Sequence, residues 1–173
     1  MERICKAVYD AVRRRGVTRV AQSAGVDRAT LSRSLRHDKG LKLTTMTNVL
    51  RALGCGLVVK VRLMSLGCPG LGAERLAHLI SNGFRSGDLD LAVAAMAAAV
   101  RSQDNISELA READLSRENL YRAFAYPRSP HIRTVLGVLR ALELEVAVEP
   151  MQGAGHGADI AVSQAIPLGK VVT

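Results

Sequence analysis

The stretches VTRVAQSAGVDRATLSRSL (residues 17–35) and ISELAREADLSRENLYRAF (residues 106–124) decide how this chain is organised. They lie 89 residues apart and align without a gap, matching Ala21 with Ala110, Ala24 with Ala113, Arg28 with Arg117, Leu31 with Leu120 and Arg33 with Arg122. The same register runs through residues 17–60 and 106–149, where 12 of 44 positions are identical and VLRAL at 49–53 recurs at 138–142. Aliphatic helices aligned by chance seldom hold an ungapped register for so long, so the chain carries an internal duplication.

Each copy reads as several short helices. In the first, Ile4, Val8, Ala11 and Val12 recur at helical spacing until Gly16. Thr18 is the expected cap of a helix over 18–24, with Val20, Ala21 and Ala24 inward. Gly25 suits a tight left-handed turn, and Val26 plugs the core beneath it. Asp27 caps a helix over 28–36 that buries Leu31 and Leu35. Thr44 or Thr45 opens a fourth helix carrying Met46, Val49, Leu50 and Leu53. The second copy repeats this with Ser107 and Ser116 as caps and Asp114 in place of the turn glycine, a residue that tolerates that backbone region. Both copies end in short alternating stretches, LVVKVRL at 57–63 and LEVAVEP at 144–150, which read as strands that pair between copies or between chains, or as covered tails. Two further helices are expected over 73–83 and 88–102.

The spacing has a specific meaning. In a helix-turn-helix, a small residue must sit where the third helix crosses the second; a turn residue follows, and aliphatics recur at fixed positions in the recognition helix. Ala21, Gly25, Val26 and Leu31 meet this in the first copy, as do Ala110, Asp114, Leu115 and Leu120 in the second. Such a helix lies in the major groove with its exposed residues at base edges. In the first copy these are Arg28, Ala29, Ser32 and Arg33, with Arg36 one turn on, while Thr18, Arg19 and Thr30 are phosphate candidates. The bland alternative is a solvated arginine face. The second copy offers Arg117, Glu118, Tyr121 and Arg122, with Ser107 and Arg111 nearby. Glu118 accepts from cytosine or repels phosphate, so this copy reads equally as a dimerisation or protein-docking module.

On these residues the chain resembles the phage-repressor/Cro-like class. More narrowly, residues 76–150 resemble the HigA-like addiction-module antidote proteins, in the order GD before a helix, LA-x-E-A-x-LSRE-x-LY-x-A, a TVL-x-VL-x-AL helix and a closing strand. The resemblance covers just under half the chain, and members of the family usually carry one such domain. It implies an all-α fold of two tandem lambda-repressor-like helix-turn-helix domains, each ending in a short β-strand. The expected boundaries are a basic domain over 1–63, a linker over 64–72, a second domain over 73–150 and a flexible tail over 151–173.

Charge agrees with a polyanionic partner: the net +8 is concentrated in residues 1–63, which hold 14 Lys/Arg against 4 Asp/Glu, whereas residues 64–150 hold 9 against 11. Cys5, Cys55 and Cys68 form no metal spacing, and their odd number without a secretory leader points to reduced thiols in the cytoplasm. No apolar run is long enough to span a membrane. His37, His78, His131 and His156 are scattered, with no HExxH motif or nucleophile elbow, so no catalytic site, metal or cofactor is expected. The expectation is a sequence-specific regulator of double-stranded DNA, an autoregulating repressor of antitoxin type acting as a homodimer. The alternative is an antitoxin or antiactivator that docks a toxin or other regulatory protein through one or both domains.

Overall fold

A computed structural model describes residues 2–36, 41–62, 71–125 and 129–151. Among the described residues the chain is mostly helical, with two strands. Its elements are α1 (Glu2–Arg15), α2 (Val17–Ser23), α3 (Arg28–Arg36), α4 (Leu43–Ala52), β1 (Cys55–Val61), α5 (Leu71–Ser86), α6 (Leu89–Arg101), α7 (Ile106–Glu112), α8 (Arg117–Ala123), α9 (Ile132–Ala141) and β2 (Leu144–Pro150). The order α1-α2-α3-α4-β1 recurs as α6-α7-α8-α9-β2, and α5 stands between the two series. The expected linker falls largely on 63–70 and the tail on 152–173, both outside the described residues.

The repeat persists at the level of single residues. Gly25 and Asp114 both adopt left-handed backbone, at φ 63° and 58°, as do their counterparts at the ends of α4 and α9, Gly54 and Glu143, at 75° and 58°. Below each first turn the chain packs alike: Val20, Ala21, Ala24 and Leu31 are buried, and so are Leu109, Ala110, Ala113 and Leu120. Val26 and Leu115 are half-buried plugs against these cores. Removing a side chain such as Leu31 from water contributes on the order of 1.5–3 kcal/mol, so these aliphatic layers, not the few aromatics, hold the helices together. Gly137 in α9 has a packing reason: a Cβ there would lie 2.7 Å from the Ala113 carbonyl at the end of α7.

Several helix starts differ from expectation. Thr18 and Ser107 lie inside α2 and α7, whose cap positions are Gly16 and Asn105. Asn105 Oδ1 accepts from the Glu108 amide at 3.1 Å, while its Nδ2 donates to the Glu108 carboxylate, a reciprocal pair that outcompetes a serine two residues later. Asp27 and Ser116 do cap α3 and α8, accepting from the amides of Thr30 and Asn119. Neither Thr44 nor Thr45 caps α4, which starts at Leu43 with no side-chain cap. The first amides of that helix are instead satisfied by the other repeat: Leu43 N–H donates to the Pro130 carbonyl at 2.8 Å, and Thr44 N–H to Ser129 Oγ.

The two repeats are joined by a local two-fold relation. β1 and β2 pair antiparallel within the one chain, and the register sets Val58 opposite Ala147, its own counterpart 89 residues on. Around that point Leu57 faces Val148 and Val59 faces Val146, each pair being the other with the repeats exchanged. A second self-paired point is the isolated bridge Lys42 to His131. It is flanked by Leu43 N–H to Pro130 O and Ile132 N–H to Leu41 O, both 2.8 Å and again exchanged by the repeat. Two self-paired points fix a pseudo-two-fold axis. Of the pairings that the sequence leaves open for the two strands, between copies or between chains, the structure shows the first.

Helix α5 breaks the symmetry. Ala77, Ile80 and Phe84 bury its inner face, and Gly83 lets it meet α6, since a Cβ there would stand 2.8 Å from the Asp88 carbonyl. Its Ser81 closes the outer edge of β1: the hydroxyl accepts from Val59 N–H at 2.8 Å and donates to the Val59 carbonyl at 3.0 Å. Residues of one antiparallel strand point their peptide groups alternately toward and away from the partner, and Val59 is one that points away from β2. Lys60, Arg62 and Arg85 pair across the sheet region with Glu149 and Glu145.

Candidate nucleic-acid interface

Burying Leu31 turns the opposite face of α3 outward, because residues three and four apart share a face. Arg28, Ala29, Thr30 and Arg33 are all exposed, Ser32 is half-buried, and Arg36 lies in the last turn with its side chain outside the described residues. Asp27 holds the start of this helix. Its carboxyl stays below the usual carboxylate range chiefly because the Thr30 backbone N–H, 2.7 Å away, favours the ionised form. Arg33 lies along the helix with Nε donating to the Ala29 carbonyl at 3.3 Å. Thr18 and Arg19 are exposed on α2 next to this face.

Leu120 orients α8 in the same way, and Arg117, Glu118, Tyr121 and Arg122 are exposed. Chemically the two faces differ. Where the first repeat has Ala29, the second has Glu118, whose carboxylate pairs with the Arg122 guanidinium four residues on. Where the first has Ser32, the second has Tyr121, over whose ring the Arg117 guanidinium sits at 5.9 Å. Both arginines of α8 therefore have partners on their own helix, and Arg111 on α7 pairs with Glu108. Ser107 is exposed on α7 beside them and does not act as a cap.

Sequence reasoning missed the residues beside the face of α8. Lys42, Thr44, Ser129 and His131 line one open groove together with Asn119 and Arg122 of α8. The Lys42–His131 bridge on the pseudo-two-fold axis thus shares a surface with the exposed face of α8, and the repeat places α3 on the other side of it. Lys42 and His131 are counterparts at the offset of 89, but they lie outside the predicted recognition helices, and only the meeting of the repeats sets them side by side.

Among the described residues no group of three or more His, Cys, Asp or Glu side chains is placed to hold a metal ion. No described helix is long and apolar enough to cross a membrane. Cys5 is half-buried; Cys55 is buried, which pushes its thiol pKa up and leaves it an unreactive core residue.

Two turn-linked helix pairs, α2–α3 and α7–α8, thus recur with exposed arginines at equivalent positions, related by a pseudo-two-fold axis. The sequence pattern of the family described as "Probable addiction module antidote protein" matches residues 72–150, which is α5 and the second repeat. A Haemophilus influenzae protein, described as "Uncharacterized protein", is 30% identical over 76 residues, 44% of this chain and 77% of that protein. No solved structure matches the chain. The chain belongs to the addiction-module antidote family through its second half. The matched 76 residues leave the relative room for one copy of the repeat and not two.

Proposed function

We propose that this chain is a non-catalytic transcription regulator of antitoxin type, a cytoplasmic, autoregulating repressor that binds double-stranded DNA. In this reading α2–α3 and α7–α8 are the helix-turn-helix units of two lambda-repressor-like domains, residues 1–63 and 73–150, with 64–72 between them and 151–173 as a tail. The observation that carries it is the recurrence of Arg28/Arg117 and Arg33/Arg122 at equivalent, exposed positions of α3 and α8, each helix held by a buried leucine behind it. An arginine on such a helix matches the guanine O6/N7 edge, and the positive surplus of residues 1–63 supplies the phosphate attraction. Thr18, Arg19 and Thr30 then contact the backbone beside α3, as do Ser107 and Arg111 beside α8.

Membership in the antidote family favours a second role in the same chain, the docking of a toxin, and the self-paired arginines of α8 favour the second repeat for it. Titration of the purified chain against the DNA upstream of its own reading frame, at several salt concentrations, tests the DNA role. Specific binding that weakens steeply with salt is the expected result. Absence of any specific complex at low salt leaves only the protein-docking role.

A further inference from the structure

The pseudo-two-fold axis has a consequence for what one chain can read. B-DNA has local two-fold axes perpendicular to its length, and dimeric helix-turn-helix proteins match them with their own symmetry. Here the symmetry is internal. The self-paired points Val58–Ala147 and Lys42–His131 lie on one axis, and the groove beside α8 shows that the second of them opens on the same surface as the exposed helix face. The two halves are nevertheless unequal on that face, with Ala29 against Glu118 and Ser32 against Tyr121, while Arg28/Arg117 and Arg33/Arg122 are shared.

We infer that a single chain, without a second copy, occupies one bipartite DNA site of two non-identical half-sites. This rests on the DNA reading above. Half-sites read by paired helix-turn-helix units stand about 34–36 Å apart, centre to centre, and the selected site is expected to show that spacing. They agree at positions reached by the shared arginines. They differ where the first repeat offers a methyl group and a hydroxyl, suited to a thymine methyl and a small polar contact, and the second a carboxylate and a phenol, suited to a cytosine amino group. Lys42 and His131 stand over the centre of the site, where no base contact is needed and the lysine can meet the phosphate backbone.

The test selects binding sites from a pool of random 40-base-pair duplexes with the full chain and weighs the resulting complex by native mass spectrometry. The expected outcome is an asymmetric pair of half-sites carrying one 18.5 kDa chain per duplex. A strictly palindromic site carrying two chains overturns the inference and leaves the DNA reading standing. No enriched sequence, with no salt-dependent binding, removes the DNA reading and this inference with it.

Two reciprocal variants sharpen the result. Glu118→Ala with Tyr121→Ser gives α8 two of the side chains of α3, and Ala29→Glu with Ser32→Tyr does the reverse; folding of both is checked by thermal melting. Each should convert the selected site into a near-palindrome, and each should lose about 10-fold or more in affinity for the wild-type site, the size of one or two mismatched positions. Two variants that both fold, by thermal melting, and both still select the asymmetric site show that these four positions do not read sequence and overturn the unequal-half-site assignment.

Discussion

At the scale of the residue, the turns of the two repeats form a natural experiment. Gly25 and Asp114 occupy the same left-handed position, and an L side chain there costs roughly 1–2 kcal/mol, less for Asp than for most residues. Asp114→Gly is therefore expected to stabilise the chain by up to about 1 kcal/mol and Gly25→Ala to destabilise it by about 1–2 kcal/mol, measured by urea unfolding. A neutral Gly25→Ala would show that the first turn is not strained by a Cβ. Asp27 adds a pH dependence with a defined sign. Its carboxyl is held below the usual range in the fold by the Thr30 amide, so its contribution is present above the unfolded value near 3.8 and is lost as pH falls through the folded value. Asp27→Asn keeps the accepting oxygen but not the charge, so its melting temperature should fall less between pH 7 and pH 3 than that of the wild type. Equal falls would mean that the cap is not felt. Turn and capping residues of this kind were legible in the sequence at Gly25, Asp27, Asp114 and Ser116, because a few neighbouring residues decide them. The start of α4 was not, since the amides of Leu43 and Thr44 find acceptors 87 and 85 residues away in sequence.

At the scale of the element, α5 and the strands carry the most information that periodicity could not supply. The two strands were visible as alternating stretches, but alternation states only that each has a buried side and leaves its partner open. The partner follows from the duplication, because a two-fold relation between copies pairs each strand with its counterpart. The work of α5 was not legible at all. In sequence Ser81 is one more polar residue of a mixed helix, and only the fold shows that it receives the outward-pointing N–H of Val59. Ser81→Ala should leave that buried amide unsatisfied and cost about 1–3 kcal/mol, with faster hydrogen exchange at Val59 than in the wild type. Unchanged exchange at Val59 would mean that α5 does not guard the edge of β1.

At the scale of the whole molecule, the account is one of two related faces doing unequal work. The two copies have kept their cores, their turns and the arginines at equivalent places, and they have separated in charge: the excess of Lys/Arg lies in residues 1–63, while Glu118 neutralises Arg122 on the second face. The exposed residues of α3 and α8 could be read from sequence because the outward face of each helix is set by its buried leucine, Leu31 or Leu120. The groove beside α8 could not, because residues of both repeats line it. Counterion release scales with the phosphates that cations neutralise, which makes salt the natural probe of this inequality. The decisive measurement is a salt titration of specific DNA binding for Arg28→Ala with Arg33→Ala beside Arg117→Ala with Arg122→Ala. The account predicts that the first pair abolishes specific binding with folding intact, whereas the second weakens it much less and lowers the salt slope by less than about 1. Equal losses would show that the two repeats contribute alike to affinity and would overturn the unequal division of work, and wild-type affinity in the first pair would contradict the assignment of α3 as a recognition helix.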